Sequence, residues 1–176
     1  MKNLYRALNI PVPFLKSNFN GKKYISRHSI VDKNDISENF LKWIESLNLT
    51  LCHAEVFFSM PNIPYKIHRD QHTLTDFPKI NWVFGNAVSQ MNWYTILSEG
   101  VIANTKIGTD YVGYDLKDVD LLYSTEIVSP SLVQSGVPHN VTIINGLRWS
   151  VSTVYKRNNR LLTFDEMVET LRPFLT

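Results

Sequence analysis

A strand pattern begins in the sequence Cys52-His53-Ala54-Glu55-Val56-Phe57-Phe58. Its residues alternate between two sets, and a period of two is typical of an extended chain whose two faces meet different surroundings. Six turn-bounded β-like runs precede a last one that ends at Tyr155. These runs are Tyr65–Asp70, Lys79–Phe84, Met91–Leu97, Leu121–Val128, Ser131–Gln134, Val141–Asn145 and Leu147–Tyr155. The segment predicts a series of about eight strands.

Two helices are predicted at the ends of this series. Asp35, with Glu38 three residues later, has the spacing of a capping box at a helix start, and Thr163 with Glu166 repeats it near the C-terminus. Strands in series with helices on either side favour a β-sandwich or barrel with the helices packed outside it. Asn145-Gly146 lies between two apolar runs and predicts a hairpin turn.

Composition limits the classes of function. The chain has 176 residues, of which 44% are hydrophobic and 19% charged, so we expect one globular domain spanning residues 1–176. The net charge of +2 disfavours nucleic acid as a partner. Neither a signal peptide nor an apolar stretch of about 20 residues is visible, and we expect a cytoplasmic protein without a membrane partner. The lone cysteine, Cys52, lies in an apolar run and is predicted to be buried.

Candidate metal ligands occur in the sequence Ile67-His68-Arg69-Asp70. Alternate side chains of an extended chain point the same way, so His68 and Asp70 project together. His139, at the start of a later strand, is the candidate third ligand. Two histidines and one carboxylate on a single face of an octahedron are diagnostic of non-haem Fe(II) oxygenases. His72 is a rival ligand, but its surroundings do not look helical, and we expect a loop histidine near the mouth of the site.

A candidate anion clamp follows the Asn145-Gly146 turn. Arg148 and Ser150 share one strand face, and the predicted hairpin places them one strand away from His139. A guanidinium is suited to binding a carboxylate with two hydrogen bonds, and a serine adds a hydroxyl. A buried arginine without compensation costs at least several kcal/mol, which an anionic co-substrate would relieve. The alternative is that Arg148 pairs with a structural carboxylate such as Glu55.

The order His68-x-Asp70, His139, Arg148-x-Ser150 resembles the Fe(II)/2-oxoglutarate-dependent oxygenase superfamily, over residues 54–155. The resemblance implies a mainly β fold, a double-stranded β-helix (a cupin-like jelly roll) over about 52–155. It implies Fe(II) at the two histidines and Asp70, and 2-oxoglutarate with its far carboxylate at Arg148 and Ser150. It also implies O2 as oxidant, succinate and CO2 as products, and hydroxylation of a small-molecule or peptide substrate. The compact size and the segment Lys79–Trp82 are most similar to prolyl-hydroxylase-like members, including bacterial and phage ones.

Further residues have open alternatives. Asn81 is a candidate second contact to 2-oxoglutarate or to a metal-bound water, or else an amide satisfied within the sheet. Trp93 and Tyr94 are candidates for the pocket wall, or else core residues, and His28 and His53 are expected to be structural or exposed. The loops Ser98–Gly113 and Tyr114–Asp120 are expected to shape specificity.

Three rival functions remain. They are a cupin-like metal- or ligand-binding barrel without 2-oxoglutarate turnover, a zinc hydrolase, and a structural protein with a degenerate site. The zinc hydrolase would also need a nearby general base.

Overall fold

The computed structural model describes residues 4–18, 23–63, 65–71, 73–105, 108–127 and 129–176. In these residues the chain forms two α-helices, α1 (Glu38–Ser46) and α2 (Phe164–Leu171), and short 3-10 helices at Lys33–Asp35, Leu116–Asp118 and Arg172–Phe174. The strands are β1 (Tyr5–Ala7), β2 (His28–Ile30), β3 (Thr50–Ser59), β4 (Ile67–Asp70), β5 (Pro78–Gly85), β6 (Val88–Ile96), β7 (Val101–Asn104), β8 (Asp110–Tyr114), β9 (Val119–Thr125), β10 (Ser131–Gln134), β11 (His139–Asn145), β12 (Arg148–Arg157) and β13 (Arg160–Leu161).

The strands form two antiparallel sheets, which confirms the prediction of a mainly β chain. The seven-stranded sheet has the order β1-β10-β5-β12-β3-β2, and β13 pairs with β12. The six-stranded sheet has the order β7-β8-β4-β11-β6-β9. Many neighbours in these sheets are distant in sequence, so the chain passes repeatedly between the sheets. None of the helices in the described part of the chain has the length and apolar character that a membrane crossing requires.

The seven-stranded sheet has two chemically different faces. Val151 pairs in register with Val56 and Trp82, and all three belong to a large apolar cluster that includes residues of α1 and α2. On the opposite face, the hydroxyl of Ser152 donates a hydrogen bond to the side-chain oxygen of Asn81. The helices therefore cover the apolar face, while the other face of the same strands carries polar side chains.

The polar face of the seven-stranded sheet is turned toward the six-stranded sheet. Met91 and Trp93 of β6 form an apolar cluster with Val133 of β10. The indole Nε1–H of Trp93 also donates to the carbonyl oxygen of Gln134 at 2.8 Å, which joins the two sheets directly. The interior between the sheets is therefore closed by apolar packing at this end, and polar side chains occupy the part next to it.

The Asn145-Gly146 turn forms, with Gly146 at φ 74°, but the predicted hairpin is wrong. β11 pairs with β4 and β6, whereas β12 pairs with β3 and β5, so the turn carries the chain from one sheet to the other. The physical reason is that Asn86 hydrogen-bonds with Leu147 in both directions and ties this turn to the one after β5. A turn sequence specifies backbone angles and leaves the choice of partner strand open.

The predicted helix caps have different outcomes. Thr163 and Glu166 form the capping box of α2, as predicted. The prediction for Asp35 is wrong, because Ser37 is the N-cap of α1 and its hydroxyl accepts from the Phe40 amide. The carboxylate of Asp35 instead accepts from the Tyr24 hydroxyl at 2.6 Å.

Two other predictions fail near the edges of the sheets. Cys52 is exposed, not buried. It lies near the start of β3, where the register with β12 shifts between Val154 and Tyr155. The segment 98–113, predicted as a loop, contains β7 and the start of β8, which pair with each other beyond β4. Residues 106 and 107 of that segment lie outside the described residues. β7 is an edge strand whose side chains are mostly exposed, so it lacks the alternation of buried and exposed residues that predicts a strand.

Candidate metal centre

The three predicted metal ligands lie together. His68 and Asp70 project from β4, and His139 is the first residue of β11, paired in register with His68. One potential ligand atom of each residue lies within 4.8 Å of those of the other two. The His68 Nε2 and Asp70 Oδ1 atoms are 3.6 Å apart. These distances are short enough for one cation to contact all three side chains.

The orientation of both histidine rings is set by the backbone. The His68 Nδ1 atom is 2.9 Å from the Lys66 carbonyl oxygen, and the His139 Nδ1 atom is 2.8 Å from that of Val137. Because a carbonyl oxygen only accepts, each Nδ1 atom carries the proton in these bonds. The lone pair is then on Nε2, the nitrogen nearer the triad centre. Metal-binding histidines are commonly oriented in this way by a hydrogen bond from the other nitrogen.

The charges around the triad favour metal-binding protonation states. Burial alone would raise the pKa of Asp70, but Lys79, His139 and His68 lower it to about 2. Burial and the neighbouring His68 lower the pKa of His139 to about 4. At neutral pH Asp70 is therefore an anion and His139 is neutral, as coordination requires. His139 is buried, whereas His68 is partly exposed, so the triad is accessible from one side.

A buried lysine next to the triad was missed in the sequence. The Lys79 Nζ atom lies 2.8 Å from Asp70 Oδ2 and 3.5 Å from Glu55 Oε2. The other oxygen of Glu55 lies 2.8 Å from His53 Nε2 and 3.1 Å from His28 Nε2. His28 and His53 are thus structural, one of the two expected roles. The signal was present, since a lysine within an apolar strand requires a buried carboxylate as a partner.

Arg148 is a buried cation that no carboxylate of the described residues neutralises. It is 3% exposed, and none of the described residues accepts a hydrogen bond from its Nε atom. Burial lowers its pKa to about 10, and no described carboxylate opposes that shift. The alternative of a pair with Glu55 is wrong, because Glu55 is occupied by His28, His53 and Lys79. An unpaired guanidinium here matches the predicted need for an anionic ligand.

Small residues surround Arg148 on the polar face of the seven-stranded sheet. Its register partners are Ser59 on β3 and Gly85 on β5, neither of which has a long side chain. Ser150, two residues along β12 on the same face, is 3% exposed. Asn81 also lies on this face, and its side-chain oxygen accepts from Ser152, which fits the alternative of an amide satisfied within the sheet. The positions paired with Arg148 on the two neighbouring strands therefore carry no long side chain.

The two candidate pocket residues are on opposite faces of the six-stranded sheet. Trp93 pairs in register with His139 and shares its face, but it is fully buried in the apolar cluster with Met91 and Val133. Tyr94 packs among residues of the other face, such as Val112, and its hydroxyl donates to Asn140. Tyr94 therefore does not face the triad. Trp93 is on the same face as His139 but is part of the apolar core.

The rival ligand His72 lies outside the described residues. In the part of the chain that the structure describes, the group His68, Asp70 and His139 is the one set of histidine, cysteine and carboxylate side chains arranged to hold a metal ion. Comparisons with known protein families, curated proteins and solved structures find no match to this chain.

Proposed function

We propose that this chain is an Fe(II)- and 2-oxoglutarate-dependent oxygenase that hydroxylates a C–H bond of a small-molecule or peptide substrate. One observation carries the proposal. A two-histidine, one-carboxylate triad with ligand atoms within 4.8 Å lies in the same interior as a buried arginine that no described anion neutralises. The triad suits a redox-active transition metal, and the arginine suits a dicarboxylic co-substrate.

The strand order supports a double-stranded β-helix. Eight strands form the centre of the two sheets, with the orders β3-β12-β5-β10 and β4-β11-β6-β9. Each of these groups is antiparallel, and consecutive strands such as β3, β4 and β5 alternate between the sheets. A jelly roll has eight strands in two facing antiparallel sheets. In this arrangement the triad and Arg148 belong to opposing sheets and face a common interior.

Each residue then has a defined role. His68, Asp70 and His139 would hold Fe(II), since two imidazoles and a carboxylate suit that metal. Arg148 and Ser150 bind the far carboxylate of 2-oxoglutarate, and the open side at His68 admits the substrate. Bound Fe(II), 2-oxoglutarate and O2 supply the oxidising chemistry, in which decarboxylation to succinate and CO2 is coupled to hydroxylation. The side chains orient the reactants, and none of them needs to act as an acid or base.

The rival functions fit these contacts less well. A zinc hydrolase needs a general base near the metal-bound water, and Glu55 is held by two histidines and Lys79. A barrel that only binds metal has no use for the unpaired Arg148. An intact triad argues against a structural protein with a degenerate site.

The proposal is tested by binding followed by turnover. Mn(II), which is stable in air, is titrated into the protein, and 2-oxoglutarate is titrated into the Mn(II)-loaded form. The anaerobic protein then receives Fe(II), 2-oxoglutarate and O2, with pooled peptides and metabolites, and succinate release is measured. Asp70→Ala should abolish metal binding and succinate release. Asp120→Ala, which removes an exposed carboxylate outside the triad, should retain both.

The possible results separate the functions. Metal and 2-oxoglutarate binding with succinate release that depends on Asp70 supports the oxygenase. Metal binding without 2-oxoglutarate binding identifies the cupin-like metal- or ligand-binding barrel instead. Absence of metal binding by the unmodified protein rules out both.

A further inference from the structure

Lys79 lies between two carboxylates of opposing sheets, the buried Glu55 and the partly exposed Asp70. It projects from β5 of the seven-stranded sheet, and its Nζ atom contacts Asp70 of the six-stranded sheet at 2.8 Å. The same atom lies 3.5 Å from Glu55 on β3. The lysine side chain is 8% exposed. The candidate metal ligand Asp70 is therefore connected to the opposite wall of the interior through one ammonium group.

The two oxygens of Asp70 have different surroundings. Its Oδ1 atom faces the metal-ligand atom of His68, with the two 3.6 Å apart, whereas its Oδ2 atom is in contact with the ammonium of Lys79. A carboxylate can bind a metal through one oxygen or through both. An oxygen that accepts a short charge-assisted hydrogen bond is held away from the metal by that bond. The contact with Lys79 thus favours coordination through Oδ1 alone.

Lys79 is itself held in place. Glu55 contacts it from one side, and the ring of Phe77 lies 5.7 Å from its Nζ atom. His28 on β2 and His53 on β3 contact the other oxygen of Glu55, which orients that carboxylate in turn. The lysine is a fixed donor rather than a flexible surface cation.

We propose that Lys79 is a positioning residue that keeps Asp70 a one-oxygen ligand, so that three coordination positions stay open to co-substrate and O2. This inference rests on the proposed metal centre. If Asp70 bound through both oxygens, it would occupy one of those three positions. A chelating co-substrate, which requires two, would then leave none for O2. Lys79 and Glu55 on the seven-stranded sheet therefore set how many coordination positions stay open on a metal that the six-stranded sheet binds.

This role has a signature that differs from a general supporting role. Loss of an ordinary outer-shell partner lowers metal affinity or activity by about 10–100-fold. Removing the ammonium of Lys79 also removes a positive charge that repels the metal, and it frees a second oxygen to bind. Metal affinity should therefore hold or increase, while affinity for a ligand that needs all three open positions should fall.

The test uses Lys79→Met, Lys79→Arg and the double variant Lys79→Met with Glu55→Gln. The double variant leaves no unpaired Glu55 carboxylate, so it provides a folded protein if the single variant is unstable. Lys79→Arg keeps the charge and donors and should behave like the unmodified protein. Calorimetric titration measures Mn(II) affinity first and then the affinity of the Mn(II)-loaded protein for iminodiacetate, with oxalate as the comparison. Iminodiacetate occupies three adjacent metal positions and oxalate occupies two, and neither has a far carboxylate to reach Arg148.

The expected result is Mn(II) binding at least as tight as in the unmodified protein, iminodiacetate binding weaker by at least about tenfold while oxalate still binds, and recovery in Lys79→Arg. Unchanged iminodiacetate affinity in the Mn(II)-loaded Lys79→Met proteins would overturn the inference, whether or not Mn(II) affinity falls. If the unmodified protein does not bind 2-oxoglutarate but the Lys79→Met proteins lose iminodiacetate affinity, the proposed function fails while the role of Lys79 stands. If the unmodified protein binds no Mn(II), both fail.

Discussion

Replacing Arg148 by methionine should stabilise the protein without ligand and weaken the binding of 2-oxoglutarate. Arg148 is 3% exposed and no described carboxylate pairs with it, so its charge is a cost of folding. Replacing buried ionic groups by apolar ones often adds about 1–4 kcal/mol to the free energy of unfolding. At roughly 2–4 °C per kcal/mol for a chain of this size, the melting temperature should rise by about 2–16 °C.

The effect on the ligand should have the opposite sign. Truncating one partner of a buried, hydrogen-bonded charge pair costs about 2–5 kcal/mol of binding free energy. Because about 1.4 kcal/mol is a factor of ten, Arg148→Met should weaken 2-oxoglutarate by about 30- to 4000-fold. Mn(II) affinity should change little, since Arg148 is not a ligand. Thermal melting of the metal-free protein and titration of the Mn(II)-loaded protein with 2-oxoglutarate measure the two effects separately.

Arg157→Met is the matched control on the same strand. The Arg157 guanidinium donates to the Leu47 carbonyl oxygen and, at 2.8 Å, to the Thr170 hydroxyl, so its loss should lower the melting temperature and leave 2-oxoglutarate affinity unchanged. A lower melting temperature for Arg148→Met would mean that the guanidinium has a stabilising partner within the fold. Unchanged 2-oxoglutarate affinity would mean that it does not bind the co-substrate.

Three further predictions concern the metal centre and the fold. Asp70→Ala removes a direct ligand and should weaken Mn(II) by more than the roughly 10–100-fold cost of losing an outer-shell partner; a smaller loss by titration would exclude Asp70 as a ligand. Burial raises the pKa of Tyr155 above its ordinary 10.0. The contribution of the neutral side chain to the free energy of unfolding should therefore be fully present below that pH and be lost as the pH rises above it. Denaturant titrations at about pH 8 and about pH 11 should show this fall, and Tyr155→Phe should reduce it; an equal fall in both proteins would refute the assignment. Thr163→Ala breaks the capping box of α2 and should cost about 1 kcal/mol, a reduction of about 2–4 °C in melting temperature; no reduction would mean that the cap contributes nothing.

The metal triad was predictable from the sequence because its geometry is local. His68 and Asp70 are two residues apart on one strand, so alternation alone puts them on the same face. His139 was predicted as the third ligand because two histidines and one carboxylate form a metal-binding set. The structure places it opposite His68. The strand Ser131–Gln134 and the Thr163 cap were found for the same reason, since both depend on residues close in sequence.

The failures concern residues distant in sequence. The partner strand of β12 was predicted wrongly, because Asn145-Gly146 specifies the turn and Asn86 decides where the turn lies. Lys79 lies 24 residues from Glu55, and nothing local indicates that they meet. The N-cap at Ser37 was missed because Asp35, with Glu38 three residues later, has the spacing of a capping box. The carboxylate of Asp35 instead accepts a hydrogen bond from Tyr24. Each error required knowledge of a contact between separate elements.

The two faces of β12 have a consequence for how such a protein can diversify. Val151 and Thr153 are buried on the side of the helices, whereas Arg148, Ser150 and Ser152 alternate with them toward the interior. The apolar packing that anchors the strand is therefore separate from the side chains that a bound molecule would meet. Selection can exchange inner residues for others of similar size, and so change ligand preference, while the outer residues keep the scaffold intact.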